Sequence, residues 1–237
     1  MKKILTLICC IISLSCFAQT SKWFVSFFTG GKVAGPPVSI NHQMREHGYD
    51  QTAVYNFIWS GTVDYPVEDI QPTLLLMAGK RISDCKSVYI IAGRSAKGVV
   101  SGFRGDGYTD FFGIFGGSTG AYIDVPYSIY QLGGGLMYSF PHTRTKLAAG
   151  PSFFLFQYGG ASYTGINKHQ TFIPGVSALL KVPFGREKKL VGVDLIIELN
   201  LATPAKIEGE EAPLKTLELD KVNMIHGAVG LALSFRR

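Results

Sequence analysis

Cysteine is scarce in this chain and badly placed for structural use. Its 237 residues include 4 cysteines, and Cys9, Cys10 and Cys16 all fall within the first 18 positions. If that segment is removed, Cys85 stands alone, which excludes an intrachain disulfide and leaves no metal-ligand set. Long apolar runs are missing too. The stretch Ile4 to Leu14 is far shorter than the roughly 20 residues a membrane-crossing helix needs, and nothing later supplies one, so a helical inner-membrane protein is excluded. Charged residues make up 17% of the chain, 23 Lys and Arg against 17 Asp and Glu. They are scattered through turns and loops, whereas a nucleic-acid binder gathers its basic residues on one face; no nucleic-acid partner is expected. Catalytic signatures are absent, with neither Gly-x-Ser-x-Gly nor His-Glu-x-x-His present. Phe115 to Gly120 is glycine-rich but lacks the Lys-Ser/Thr ending of a phosphate loop. Glu208, Glu210, Glu211 and Glu218 lack the spacing of a calcium loop. The expectation is a chain that is not an enzyme and carries neither cofactor nor metal.

What is present begins with an export signal. Met1-Lys2-Lys3 is a positive n-region, Ile4 to Leu14 an apolar h-region, and Cys16 and Ala18 are small residues placed for cleavage before Gln19. Lipidation of Cys16 is disfavoured by Ser13, since the position three before a lipidated cysteine is generally aliphatic. Residues 1–18 are therefore expected to be a cleaved signal peptide and residues 19–237 one domain, with 21 basic and 17 acidic side chains remaining. That length suits a single all-β barrel or sandwich.

Strand-like runs fall at Trp23 to Val33, Pro72 to Ile82, Ser87 to Lys97, Ala121 to Phe140, Lys146 to Tyr158, Thr171 to Phe184, Leu190 to Thr203 and Lys221 to Phe235. Their connectors alternate in length. Short ones centre on Asp84, His142 and Glu187, and the others are much longer. Antiparallel strands that cross a membrane repeatedly, with tight turns on one side and extended loops on the other, produce this rhythm. A soluble sandwich has no reason to sort its loops by parity.

Face chemistry points the same way. From Leu190 to Ala202 the odd positions Val191, Val193, Leu195, Ile197, Leu199 and Leu201 are aliphatic, while the even ones include Gly192, Asp194, Glu198 and Asn200. In the last strand Ile225, Val229, Leu231, Leu233 and Phe235 alternate with His226, Ala228, Gly230, Ala232 and Ser234. Side chains switch face at every residue. The small and polar face suits a narrow interior and the aliphatic face suits lipid. Lys181, Asp194, Glu198 and His226 all take the interior phase, and paired interior charges are the expected way to satisfy a polar lumen. Phe140, Phe184 and Phe235 close three strands at the periplasmic end, the position of an aromatic girdle. The fourth strand changes phase after Gly133-Gly134-Gly135, where a glycine bulge or a tight bend is expected.

The long connectors are the most individual regions. Ser39 can cap a short helix through Ile40, Met44 and His47, stopped by Gly48. Beyond it Tyr55, Phe57 and Trp59 alternate with polar or smaller residues, which suggests strand pairing outside the bilayer. The second long connector, Gly98 to Gly120, carries Tyr108, Phe111 and Phe112 among glycines. These aromatics are the expected interaction surface, with packing over the barrel mouth as the alternative. His42, His47 and His169 also lie in connectors, where a base or binding group would sit.

At Tyr122-Ile123-Asp124-Val125-Pro126 the chain resembles the Tyr-Leu-Glu-Ile-Pro element of the PorT-like group of outer-membrane β-barrel proteins. Ala149-Gly150-Pro151 and the closing Gly230-Leu231-Ala232-Leu233-Ser234-Phe235 are similar to other elements of that group. The triple glycine and the Arg236-Arg237 that follows the last phenylalanine depart from it. The resemblance implies an eight-stranded barrel, sometimes linked to secretion across the outer membrane, and supplies no catalytic residues.

The expected fold is all-β, an eight-stranded antiparallel up-and-down transmembrane barrel in the outer membrane with long extracellular loops and short periplasmic turns. Its interior is largely filled by side chains at that strand number, so it is no general porin. Outer-membrane lipids, the barrel-assembly machinery and a protein partner in export or at the cell surface are the expected partners. Two alternatives stand beside this structural or interaction role. One is a lipid- or ligand-handling membrane enzyme or binder around His42, His47 or His169; the other is a soluble periplasmic lipocalin-like barrel with its aliphatic faces inward.

Overall fold

A computed structural model of the chain describes residues 23–46, 51–56, 71–105, 120–159, 168–184, 191–205 and 222–236. The signal segment 1–18, His47, Phe57, Trp59, Tyr108, Phe111 and Phe112 lie outside these. The described strands are β1 (Trp23–Ala34), β2 (Gln51–Asn56), β3 (Gln71–Arg81), β4 (Lys86–Gly105), β5 (Gly120–Ser139), β6 (Lys146–Tyr158), β7 (His169–Phe184), β8 (Val191–Ala202) and β9 (His226–Arg236), with one helix, α1 (Gly35–Glu46). Each strand except β2 pairs antiparallel with its neighbour in the order β4-β3-β1-β9-β8-β7-β6-β5, and β5 returns to β4. Eight of the described strands therefore close into a barrel.

Closure follows from where the chain finds itself. In hydrocarbon no water satisfies a strand edge, so every backbone N–H and C=O must find a partner within the sheet. Stepping across paired residues from Trp23 leads through Lys80, Val88, Leu136, Ala149, Ala178, Leu199 and Gly227 to Val33, 10 positions further along β1. A stagger of that size in an eight-stranded barrel tilts the strands by about 40° and leaves an interior that side chains fill.

The faces sort as lipid exposure requires. Ile90, Leu132, Leu136, Phe153, Phe172, Val176, Ile197, Leu199, Val229, Leu231 and Leu233 are all exposed, and each takes the outward phase of its strand. An open aliphatic band of this extent has no place on a water-soluble protein. It overturns the lipocalin-like alternative, in which these side chains point inward. Trp23, Tyr138, Phe140 and Phe184 stand exposed at the end bearing the short turns, with Tyr138 edge-on to Phe140 at 5.2 Å and the Lys80 ammonium 5.5 Å from the Trp23 ring. Amphipathic rings and a cation mark the interfacial girdle. At the other end the band gives way to Arg94, Lys97, Ser128, Gln157 and Gln170, all outside the buried set, with Gln157 Nε2 donating to Gln170 at 3.4 Å. The chain is thus an outer-membrane β-barrel.

Four expectations change. Helix α1 begins at Gly35, with Pro36 and Pro37 in its first turn, where proline loses no intrahelical bond; Ser39 lies inside the helix rather than capping it. The connector expected from Gly98 is strand as far as Gly105. Residues 223–225 are not strand, and β9 starts at His226. Finally, β5 keeps one phase throughout, Val125, Tyr127, Ile129, Gln131 and Met137 all being buried. No bulge sits at its glycines. The register shift is on the partner strand, between Arg94 and Ala96 of β4, beside Gly93 at φ 153°.

Strands β4 and β5 run 20 residues each, about 65 Å of chain against an apolar band of about 25 Å. Their outer halves project from the bilayer, and β2 pairs there with β4 from Gln51↔Phe103 to Asn56↔Gly98. Pairing of strands outside the bilayer thus holds for Tyr55.

The seam between β1 and β9 generates a prediction. Gly30 faces Gly230 across it, and a Cβ on Gly230 collides with the Thr29 carbonyl, Gly30 Cα and the Phe28 ring. Wild-type protein is expected to migrate differently on a gel before and after boiling, as a closed barrel does. Gly230→Val should lose that compact form, while Leu231→Val, on the lipid face, should keep it.

Candidate functional site in the lumen and at the outer rim

The lumen is built in layers. At the periplasmic end Lys181 of β7 and Asp194 of β8 pair at 2.9 Å, 2% and 0% exposed. The ammonium has three N–H donors, and besides Asp194 it meets Ser26 Oγ at 2.6 Å and Ser234 Oγ at 2.8 Å. Ser234 in turn donates to Asp194, and the two serines lie 2.8 Å apart. The Phe24 ring lies 5.5 Å from Lys181 Nζ. A buried charge survives only when paired and hydrogen-bonded, and four strands meet here to supply the partners.

Above this belt lies an apolar layer that includes Phe28, Leu75, Met77, Tyr89, Ile91, Met137, Leu179 and Ile196. A second polar layer centres on Gln131 of β5. Its Nε2 lies 2.7 Å from Glu198 Oε1, 3.2 Å from Ser177 Oγ and 3.3 Å from Asn200 Oδ1, while Ser95 donates to its Oε1 at 3.3 Å. Ser152 and Ser177 share a bond of 2.6 Å, Ser177 also donates to Asn200, and Thr73 donates to the Ser95 carbonyl at 2.8 Å. This layer ties β3, β4, β5, β6, β7 and β8 together through side chains, which fixes the register of a narrow barrel from within.

The outermost layer is apolar. Val125, Tyr127, Ile129, Phe154, Phe156, Tyr158 and Ile173 pack with Ile40 and Met44 of α1 and with Val222 and Met224. Helix α1 leaves β1 at once, Gly35 N–H donating to the Ile225 carbonyl at 2.8 Å, and lays Ile40 and Met44, both 0% exposed, into this cluster. The interior is therefore not uniformly small and polar, as the inward positions of β8 and β9 alone suggest. A buried aromatic plug closes the outer half.

Of the residues read as one lumen charge network, Lys181 and Asp194 meet directly. Glu198 joins a different layer, with Gln131. His226 donates its Nδ1–H to the Met224 carbonyl, 2.7 Å away, and its ring stands edge-on to Phe154 at 5.0 Å. Ser26, Ser234 and Gln131 complete these layers. Their signal is a polar residue at an interior phase in mid-strand, the same phase that placed Lys181. Among the described residues no group of three or more His, Cys, Asp or Glu is placed to hold a metal.

At the outer rim, α1 and the ends of β8 and β9 frame a groove of about 540 Å³, lined by Val38, Ser39, His42, Gln43 and Glu46 on the helix and by Leu199, Asn223, Ile225, His226 and Gly227 opposite. His42 is thus brought to a concave surface, where it lies 3.4 Å from Glu46. His169 is not; it stacks on Tyr158 with ring centroids 5.1 Å apart. Tyr55 lies on β2.

No protein-family model and no curated protein matches the chain. Among solved structures it is similar to Ail, the attachment invasion locus protein of Yersinia pestis, solved in complex with the heparin analogue sucrose octasulfate, at 11% identity over 90% of this chain and 99% of that one, with a TM-score of 0.39. It is also similar to the outer-membrane protein AlkL, solved in DMPC bilayers, at 13% identity over 91% of this chain and 90% of that one, with a TM-score of 0.40.

The Lys181–Asp194 pair yields a prediction. Lys181→Met strands a buried carboxylate and should cost about 3–5 kcal/mol, whereas the double variant Lys181→Met, Asp194→Leu should recover most of that loss. Urea unfolding of the vesicle-folded barrel measures both; equal losses in the single and double variants would refute the coupling.

Proposed function

We propose that this chain is a PorT-like outer-membrane barrel that serves as an interaction or export accessory, engaging a protein partner through its outer end and performing no catalysis of its own. One observation carries the reading. The lumen is packed with alternating polar and apolar layers from the Lys181 belt to the α1 plug, while β4, β5 and β2 build a sheet well beyond the aliphatic band. A filled interior offers no path for solute, so the elaborated part of the molecule is the part that faces outward. The PorT-like reading rests on Tyr122 to Pro126, which lie in the projecting half of β5, on Ala149-Gly150-Pro151 in β6, and on Gly230 to Phe235 in the closing strand. Insertion would depend on the barrel-assembly machinery, as for any barrel whose strands cannot enter lipid unpaired.

The test uses a photo-crosslinking amino acid at Tyr55, Phe57 or Trp59 in living cells, with Tyr138 in the membrane band as the control. A discrete protein adduct is expected from the first three and none from Tyr138. Replacing all three aromatics by alanine should reduce capture at a neighbouring site at least fivefold and leave the yield of heat-modifiable barrel unchanged. Equal capture by the alanine variant would dismiss this surface.

A further inference from the structure

The rim groove sits at an unusual junction. Along β8 the lipid-facing phase runs through Val193, Ile197, Leu199 and Leu201, all exposed, and ends at Thr203. Along β9 it runs from Leu233 through Leu231 and Val229, and the segment before the strand continues it at Ile225, also exposed. Leu199 and Ile225 therefore belong to the outward apolar face of the barrel and also line the groove. They remain 47% exposed although α1 stands beside them, and Val38 on the helix is equally open.

The helix has two unlike faces. Ile40 and Met44 are buried in the plug. Val38, His42 and Glu46 follow at the spacing of one helical face and line the groove instead; the His42 and Glu46 side chains are 72% and 59% exposed. An apolar floor continuous with the bilayer, roofed by one valine and edged by an imidazole and a carboxylate at headgroup depth, matches one kind of molecule. It is an amphiphile whose chain lies in the leaflet and whose head carries both charge and hydrogen-bonding groups. The volume falls within the range of pockets that hold small ligands.

Gly227 supplies the space. It takes the outward phase of β9 between Ile225 and Val229, and a Cβ built on it meets nothing nearer than the Glu198 carbonyl oxygen at 3.4 Å, an ordinary contact. At Gly30 and Gly230 an added Cβ collides with backbone; at Gly227 packing does not demand glycine, and the missing side chain leaves the groove open.

We propose that this groove is a lateral site for an outer-leaflet phospholipid or glycolipid, with the upper methylenes of one acyl chain on Leu199, Ile225 and Val38 and the headgroup against His42 and Glu46. The site draws its ligand from the membrane and does not use the lumen, so it stands independently of the export reading.

The experiment uses the full chain in phosphatidylcholine nanodiscs doped with a phospholipid bearing a diazirine near the carboxyl end of one palmitoyl chain. After illumination, adducts are expected on the α1 peptide, above the depth at which bulk acyl chains touch the barrel, as well as on the band around Leu231. Gly227→Leu fills the groove and should lower α1 labelling at least fivefold while leaving the Leu231 region unchanged. Val38→Glu, at an exposed helix position, should lower it likewise, so the proposal remains testable if Gly227→Leu fails to show heat-modifiable mobility. Absent α1 adducts, or α1 labelling equal in wild type and both variants, would overturn the proposal. So would labelling of α1 by a diazirine fatty acid added from water when the membrane-borne phospholipid gives none, since the source would then be soluble.

Discussion

Every other feature of this molecule depends on the closed backbone ladder. Hydrocarbon cannot satisfy an unpaired N–H or C=O, so the last strand must meet the first, and β9 does so through eleven residues of β1 from Phe24↔Arg236 to Ala34↔His226. Closing only eight strands makes a tube too narrow to stay open. Once the tube is closed its inward side chains must fill the space and satisfy one another. The layers of the lumen answer that geometry: Lys181 with its three acceptors, Gln131 with Glu198, and aromatic packing above them. Glycine appears where an aromatic ring needs room, Gly230 beside Phe28 and Gly79 beside Phe24.

The outer end follows from the same constraint released. Beyond the bilayer strands may bend and gain partners unevenly. β4 does so just past Gly93, where its register shifts between Arg94 and Ala96 and where bulges are known to re-aim a strand. From there β4 leaves β3 behind, takes β2 as its neighbour and continues with β5 to Gly105. Helix α1 uses the space over the mouth, its proline-led first turn starting as β1 ends. It seals the interior with Ile40 and Met44 and presents its polar side to the rim. Interior closure and exterior elaboration are thus made by the same few elements.

Much of the barrel was legible from residue order because lipid imposes a strict period of two. β7, β8 and β9 showed it openly, since their inner faces are small or polar and their outer faces aliphatic. β3 and the lower part of β4 hid it because Leu75, Met77 and Ile91 fill an apolar interior layer opposite equally apolar Leu74, Leu76 and Ile90. β5 misled for the same reason. Its interior is apolar at Val125, Tyr127 and Ile129 and its exterior is apolar at Leu132, Leu136 and Tyr138, so a change of environment along one regular strand imitates a change of phase. The true irregularity, at Arg94, carries no composition signal beyond one glycine. In the lumen, the ionisable residues stood out by type, but which of them meet depends on cross-strand register. That is why Lys181 and Asp194 form a pair while Glu198 belongs with a glutamine that charge alone could not reveal. Of the groove only His42 was legible, as a connector histidine, since the groove itself exists only where a helix from one connector passes the ends of two strands far along the chain.

The central claim is that the barrel is sealed and that its work is done outside the lumen. Ion current through single purified molecules in a planar bilayer tests this most directly. A barrel filled from the Lys181 belt to the α1 plug should give no discrete conductance steps at any applied potential the bilayer withstands. Stable, reproducible steps from the wild-type protein would contradict the account, because they require a continuous water path through layers that are packed shut here.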